Sequence, residues 1–140
     1  MRKADKSKGE VEIHGKVYLM VARRIDDFRK STSYKNWSIE TAKVEAQDPY
    51  VVIKATIRNA ENRIVATGYA EESRTYGKIN KTSALENAET SAVGRALAFL
   101  GLGGSEIASA DEVSNAIAHG TAKDAVDPIV LHNKALTEKL

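Results

Sequence analysis

Hydrophobic and polar residues alternate with a period of two from residue 36 onward. Trp37, Ile39 and Thr41 face one way and Ser38, Glu40 and Ala42 the other, as in a half-buried strand. Asp48-Pro49 marks a turn. Tyr50–Arg58 (YVVIKATIR) is a β-branched run, residues 59–62 (NAEN) form a second turn, and residues 63–72 (RIVATGYAEE) alternate again. Three strands with short connections predict an antiparallel meander. The period then lengthens. Within residues 81–104 (KTSALENAETSAVGRALAFLGLGG), Leu85, Ala88, Ala92, Ala96 and Phe99 fall in one arc of a 3.6-residue helix. Thr82 or Ser83 caps its start, with Glu86 completing a capping box three residues after Ser83. Gly101 suits a left-handed C-terminal position, with Gly103 and Gly104 prolonging the exit. Alanines spaced by four make a smooth stripe that lets a sheet approach closely. The predicted fold is α+β, a three-stranded antiparallel meander (β-β-β) covered by a long α-helix.

The flanks are less patterned. Residues 1–15 read as a basic, mobile arm, because Arg2, Lys3, Lys6 and Lys8 outweigh Asp5 and Glu10 and no period is present. Residues 16–21 (KVYLMV) predict a short strand, and residues 22–30 (ARRIDDFRK) a short helix with Ile25 and Phe28 inward. Beyond the glycines, Ser109 and Glu112 form a second capping box, opening a helix that runs to about His119 with Gly120 as its stop. Residues 16–120 are therefore expected to be one domain with its β-β-β-α core at about 36–104. Residues 121–140 are a tail in which Asp127-Pro128 offers a start for a last helix.

Composition removes several classes of chemistry. The chain has no cysteine, which excludes disulfides, thiolate metal sites and cysteine nucleophiles. His14, His119 and His132 have no paired spacing, so no metal is expected. The GLGG at 101–104 follows a helix rather than a strand and lacks the Gly-Lys-Ser/Thr ending of a phosphate loop. Adjacent carboxylates, Asp26-Asp27 and Glu71-Glu72, diverge on any regular element, and no serine sits in a nucleophile elbow. The sequence predicts no enzyme and no cofactor. No apolar run reaches the length of a membrane span, and the expected location is the cytoplasm.

A net charge of +2 permits a nucleic-acid partner without requiring one. Distribution says more. Residues 73–81 (SRTYGKINK) carry Arg74, Lys78 and Lys81 with no acidic residue, interleaved with Tyr76. Two readings stand: a solvated loop, or a phosphate-contacting loop leading into a helix N-terminus. Arg95 lies at the edge of the apolar arc beside Ala88 and Ala92, where its charge must reach solvent or an anion.

Arg24 heading a short helix, the Tyr34-x-x-Trp37 step, Gly68-Tyr69, the basic loop, Lys81, Ser83-x-x-Glu86-x-Ala88 and Arg95-Ala96-Leu97 with Phe99 and Gly101 occur in an order that resembles the Rad-fifty-two family of single-strand annealing proteins, including its bacteriophage branch. The resemblance spans residues 16–104. It implies a β-β-β-α protomer assembling into rings or helical arcs, with single-stranded DNA in a basic groove and annealing without ATP in homologous recombination. By position in the motif, Arg24, Lys81 and Arg95 would contact DNA; Arg74 and Lys78 join them by charge and loop position. The pattern departs at Gly94 and Ala98, where basic residues stand in the family. Implied partners are single-stranded DNA, further copies of the chain and a host single-strand-binding protein. The rival reading is an adaptor on the same scaffold that binds single-stranded nucleic acid or protein without annealing.

Overall fold

A computed structural model describes residues 3–118. Arg2, His119, Gly120, His132, the helix expected after Asp127-Pro128 and the rest of the tail lie outside the described residues. The elements run β1 (Glu10–Ile13), β2 (Lys16–Leu19), α1 (Val21–Lys30), β3 (Ser38–Val44), β4 (Tyr50–Arg58), β5 (Ile64–Ser73), α2 (Gly77–Leu97) and α3 (Ala110–Ala118). The protein is α+β, with the meander β3-β4-β5 packed against α2 and a separate two-stranded hairpin β1-β2.

The meander follows its alternation closely. Val51, Ile53, Ala55 and Ile57 of β4 turn inward and are buried, and Ala66 and Gly68 of β5 join them. The β4-β5 turn at residues 59–62 is closed by Asn59, whose side-chain oxygen accepts from the backbone N–H groups of Glu61 (3.1 Å) and Arg63 (2.9 Å), the local bonding that favours asparagine in turns.

Helix α2 lies over β4 and β5. Its buried stripe is Ala84, Ala88, Ala92 and Ala96, all with no exposure. Below it stands Gly68: a Cβ there would lie 2.5 Å from the Ala92 carbonyl oxygen and 2.5 Å from the Ala96 nitrogen. Helix and strand therefore meet backbone to backbone, which only small residues on both sides permit. Two residues expected in this stripe are outside it, Leu85 at 38% and Phe99 at 53% exposure. The apolar arc is narrower than their inclusion implied, because alanines suffice where the sheet comes so close. The helix also begins earlier than its capping signal. Ser83 has non-helical angles (φ −132°, ψ 23°), so the predicted start is instead a bend inside a helix opening at Gly77. Gly101, with φ 111°, takes the left-handed position expected of it.

The flanks differ more from expectation. Residues 10–13, assigned to a polar arm, pair with β2 through a two-residue turn at His14-Gly15, both with positive φ, the geometry whose twist suits a hairpin. Arg23 fastens this hairpin: its Nη1 donates to the Lys8 carbonyl (2.7 Å) and approaches Glu10 (3.8 Å), while its Nε donates to Asp27 (2.9 Å). In α1 the inward residues are Val21, Arg24 and Phe28, and Ile25 is exposed. An arginine thus occupies the place that hydrophobicity assigns to isoleucine. The second capping box is half realised, with the Glu112 N–H donating to Ser109 Oγ at 3.2 Å.

Replacing Gly68 by alanine places a methyl group inside the α2 backbone, and overpacking of this kind costs about 1–3 kcal/mol. Urea unfolding of Gly68→Ala should show a loss in that range, and Gly68→Val a larger one. An unchanged midpoint would mean that the helix retreats freely.

Candidate nucleic-acid interface

The five cations named from the sequence are not gathered into one site. Arg24 is fully buried. Its guanidinium donates to the carbonyls of Gly94 (2.7 Å), Ile107 (2.9 Å), Glu106 (3.0 Å), Ala108 (3.1 Å) and Gly103 (3.3 Å). Nε alone has no hydrogen-bond partner among the described residues. Burial pushes this guanidinium's pKa down, opposed by the nearby Glu112 and Asp111 carboxylates. A planar fork with five donors here gathers the carbonyls of α2's last turns and of the loop leading to α3. The expectation that Arg24 contacts DNA is thereby corrected: the side chain has no path to a polynucleotide.

Arg95 is half-buried and already compensated. It lies 3.9 Å from Glu112 and stacks over the Phe99 ring at 5.6 Å. The groove it lines, about 440 Å³ in volume, also holds Glu71, Glu72 and Glu112. A groove with three carboxylates repels a phosphate backbone. Arg95 also stands fourteen positions from Lys81 along α2, about 20 Å at 1.5 Å per residue, so the two motif residues face different surroundings. Glu112 is held above the ordinary glutamate pKa, chiefly by burial, against the pull of Arg95 and Arg24.

Three cations remain together. Ser73 closes β5, Arg74 follows with its backbone N–H bonded to the Pro49 carbonyl (3.0 Å), and α2 starts at Gly77. Residues 77–81, expected as loop, are therefore helix, and Lys78 and Lys81 lie one turn apart on it, both exposed. Tyr76 at the N-cap position supplies no side-chain cap, and the first turn contains no acidic residue. Lysines at a helix N-terminus oppose the macrodipole at about 0.3–1 kcal/mol each, and an uncapped start forgoes about 1 kcal/mol. The arrangement is poor for the helix alone and favourable for a bound anion.

What holds this turn in place escaped the sequence reading. Asn80 is fully buried; its Nδ2 donates to Glu72 Oε2 (2.7 Å) and its Oδ1 accepts from Asn87 Nδ2 (3.0 Å). This chain of amides links the end of β5 to both sides of the bend at Ser83. The only hint in the sequence is an asparagine four residues before the first alanine of the stripe. Elsewhere, no group of three or more histidine or acidic residues able to hold a metal occurs among the described residues, and no described helix is long and apolar enough to cross a membrane.

Helix, three-stranded meander and helix follow one another in this order, with a basic turn at the start of the second helix. Residues 25–100 match the family model described as "Slr1353 N-terminal dsRNA-binding domain-like". That is just over half of the chain, from within α1 to just past α2, and the chain belongs to this family. No curated protein and no solved structure matches. The match overturns the resemblance to the Rad-fifty-two annealing family. The shared strand order and small-residue helix belong to the helix-meander-helix scaffold, and Arg24, a residue the resemblance rested on, is a core residue here. Membership of a family so described points to nucleic-acid binding in general; it gives no support to strand annealing, phage recombination or ring assembly.

Two tests follow from this geometry. Arg24→Lys replaces five donors with three and leaves buried carbonyls unpaired, at about 1–3 kcal/mol for each unsatisfied group. Chemical denaturation should show a loss of at least the lower figure, and wild-type stability would return Arg24 to the surface. Glu112 binds its proton more tightly folded than unfolded, so its contribution to stability falls as pH rises from the ordinary glutamate value through its raised native one. Glu112→Gln removes that decline. Urea midpoints between about pH 4 and about pH 8 should drop less in the variant than in the wild type, and parallel curves would disprove the raised value.

Proposed function

We propose that this domain binds nucleic acid through the first turn of α2, with double-stranded RNA as the preferred ligand. The observation that carries the reading is the uncapped, acid-free start of α2, where Lys78 and Lys81 stand exposed with Arg74 just ahead of them. The description of the family supports the choice of ligand.

Domains of this type read an RNA duplex by shape, through phosphates and 2′-hydroxyls, rather than by base sequence. The side chains available fit that task. Lysine ammonium groups are point charges without a fixed recognition plane; they neutralise phosphates and release counterions. Backbone N–H groups at the open helix end add donors for a phosphate oxygen. Asn80, tied to Glu72 and Asn87, orients the turn before the ligand arrives, which reduces the ordering cost of binding. The proposed activity is binding, with no bond made or broken.

The adaptor reading on the same scaffold makes a different prediction about ligand form. In fluorescence anisotropy at low salt, RNA duplex should bind more tightly than DNA duplex or either single strand. The double variant Lys78→Ala, Lys81→Ala should lose affinity uniformly across sequences, with the slope of log affinity against log salt shallower by about 2. Its unfolding midpoint should not fall, since both lysines oppose the helix dipole. Preference for single strands, or full duplex binding by the double variant, would overturn the assignment.

A further inference from the structure

The connection between α1 and β3 carries charge that neither the motif nor the family description assigns. From Phe28 to Ile39 the chain has Arg29, Lys30 and Lys35 and no acidic residue. The carboxylates nearest in sequence are already engaged: Asp26 with Lys30 (2.8 Å), Asp27 with Arg23 (2.9 Å) and Glu40 with Arg58 (2.9 Å). With Lys30 occupied by Asp26, Arg29 and Lys35 remain exposed cations. Arg29 lies over the Phe28 ring at 5.1 Å and donates one bond, to the Trp37 carbonyl at 3.3 Å.

This segment is held rigidly for a connection. Tyr34 stacks on Phe28 with ring centroids 5.3 Å apart and meets Trp37 edge-on at 4.9 Å. The backbone N–H groups of Tyr34, Lys35 and Trp37 bond to the carbonyls of Ser31, Thr32 and Tyr34, and Ser31 Oγ accepts from the Ser33 N–H. Tyr34 and Trp37 pack against the core beside Phe28 of α1, and this anchoring fixes the backbone that carries Arg29 and Lys35. A preorganised platform for cations gains affinity by reducing the entropy lost on binding.

Strand register fixes where the platform stands. Ser38 pairs with Arg58 at one end of the sheet, and Tyr50 pairs with Ser73 at the other. Trp37 precedes the first pair; Arg74 follows the second and is bonded to Pro49. The α1-β3 platform and the basic turn of α2 therefore lie at opposite ends of β4, about 25 Å apart at roughly 3.3 Å per residue. An RNA duplex read by shape engages such a domain over about 16 base pairs, through two successive minor grooves and the phosphates between them.

We infer that Arg29 and Lys35 form a second phosphate-contacting site for the same RNA duplex, so that the ligand spans the length of the sheet. The inference rests on the reading of α2 as the first site. The two sites are weak singly and strong together, because binding at one makes the other effectively intramolecular. Affinity is then a step function of duplex length.

The test uses the full chain and blunt RNA duplexes of about 8 and about 16 base pairs, the longer one sufficient to reach both ends. Anisotropy titrations compare the wild type, Lys35→Glu and Lys81→Glu, each shown to be folded by circular dichroism and thermal melting. The wild type should bind the longer duplex at least about tenfold more tightly per site, as linked sites require. Lys35→Glu should abolish most of that gain, with a salt slope on the longer duplex shallower by about 1, and leave the shorter duplex within about twofold. Lys81→Glu should weaken both. If Lys35→Glu matches the wild type on the longer duplex while Lys81→Glu weakens both, the second site is refuted and the first stands. If Lys35→Glu weakens both lengths equally while Lys81→Glu weakens neither, the α1-β3 connection binds alone and the spanning arrangement is refuted. If the wild type binds no duplex, both readings fall. A Lys35→Glu defect that appears with an acidic peptide such as polyglutamate but not with RNA would make the platform a protein contact and also refutes the inference.

Discussion

Contact between the α2 backbone and Gly68 decides how the rest of the molecule is laid out. Helix axes normally stand off a sheet by the thickness of their side chains, and any residue larger than glycine at position 68 would restore that gap. With Ala92 and Ala96 above it, the strand touches the helix main chain, which fixes the height and direction of α2 over β5. Since β5 runs straight into α2, direction also fixes position. The helix opens at the Tyr50-Ser73 end of the sheet and closes at the Ser38-Arg58 end. The open, basic turn follows from an alanine-glycine contact several turns away.

Closure of the far end falls to Arg24. The hairpin and α3 lie outside the family-matched residues 25–100, and Arg24 sits one position before that segment. Its guanidinium binds the Gly94 carbonyl near the end of α2 and three consecutive carbonyls, Glu106, Ile107 and Ala108, ahead of α3. Asp111 of α3 in turn accepts from the Val21 N–H at 2.7 Å, capping α1 across ninety residues of sequence with a carboxylate where the dipole favours one. The two helix starts are treated oppositely. The start of α1 is capped by an acid and locked into the fold, whereas that of α2 is uncapped and flanked by lysines.

Legibility followed the range of the interactions. The three strands, their turns and the close-packed alanine stripe were readable because period and spacing are local properties. Helix boundaries were less so: the Ser83-Glu86 signal falls on a bend inside the helix rather than at its start, and the Asn80 contact with Glu72 supports the turns that begin at Gly77. Arg24 defeated the reading because sequence distinguishes a charge from an apolar group but not a solvated charge from one that collects buried carbonyls. Those acceptors lie 70 to 84 residues away. The hairpin was missed for a related reason. Its charges suggested an arm, yet Glu10 is buried beside Arg23, which comes from a different element.

Arg24 and Arg95 show why counting cations misleads. Net charge sums residues whose charge the fold has already used with those whose charge faces water. Arginines 23, 24, 58 and 95 each have protein acceptors or carboxylates within reach, as suits a planar fork that forms several bonds at once. Lys35, Lys78 and Lys81 are exposed. A motif-based reading gives precedence to arginines, since their spacing on a helix is conspicuous, and so selects side chains that serve as internal fasteners. Ranking cations instead by what remains uncompensated moves the electrostatic footprint off the C-terminal half of α2, where Glu71, Glu72 and Glu112 surround Arg95. Lys78 and Lys81 near the start of α2 and Lys35 ahead of β3 are among the exposed cations outside it. A polyanion responds to the field outside the molecule, and among the described residues that field owes more to exposed lysines than to arginines held by internal acceptors.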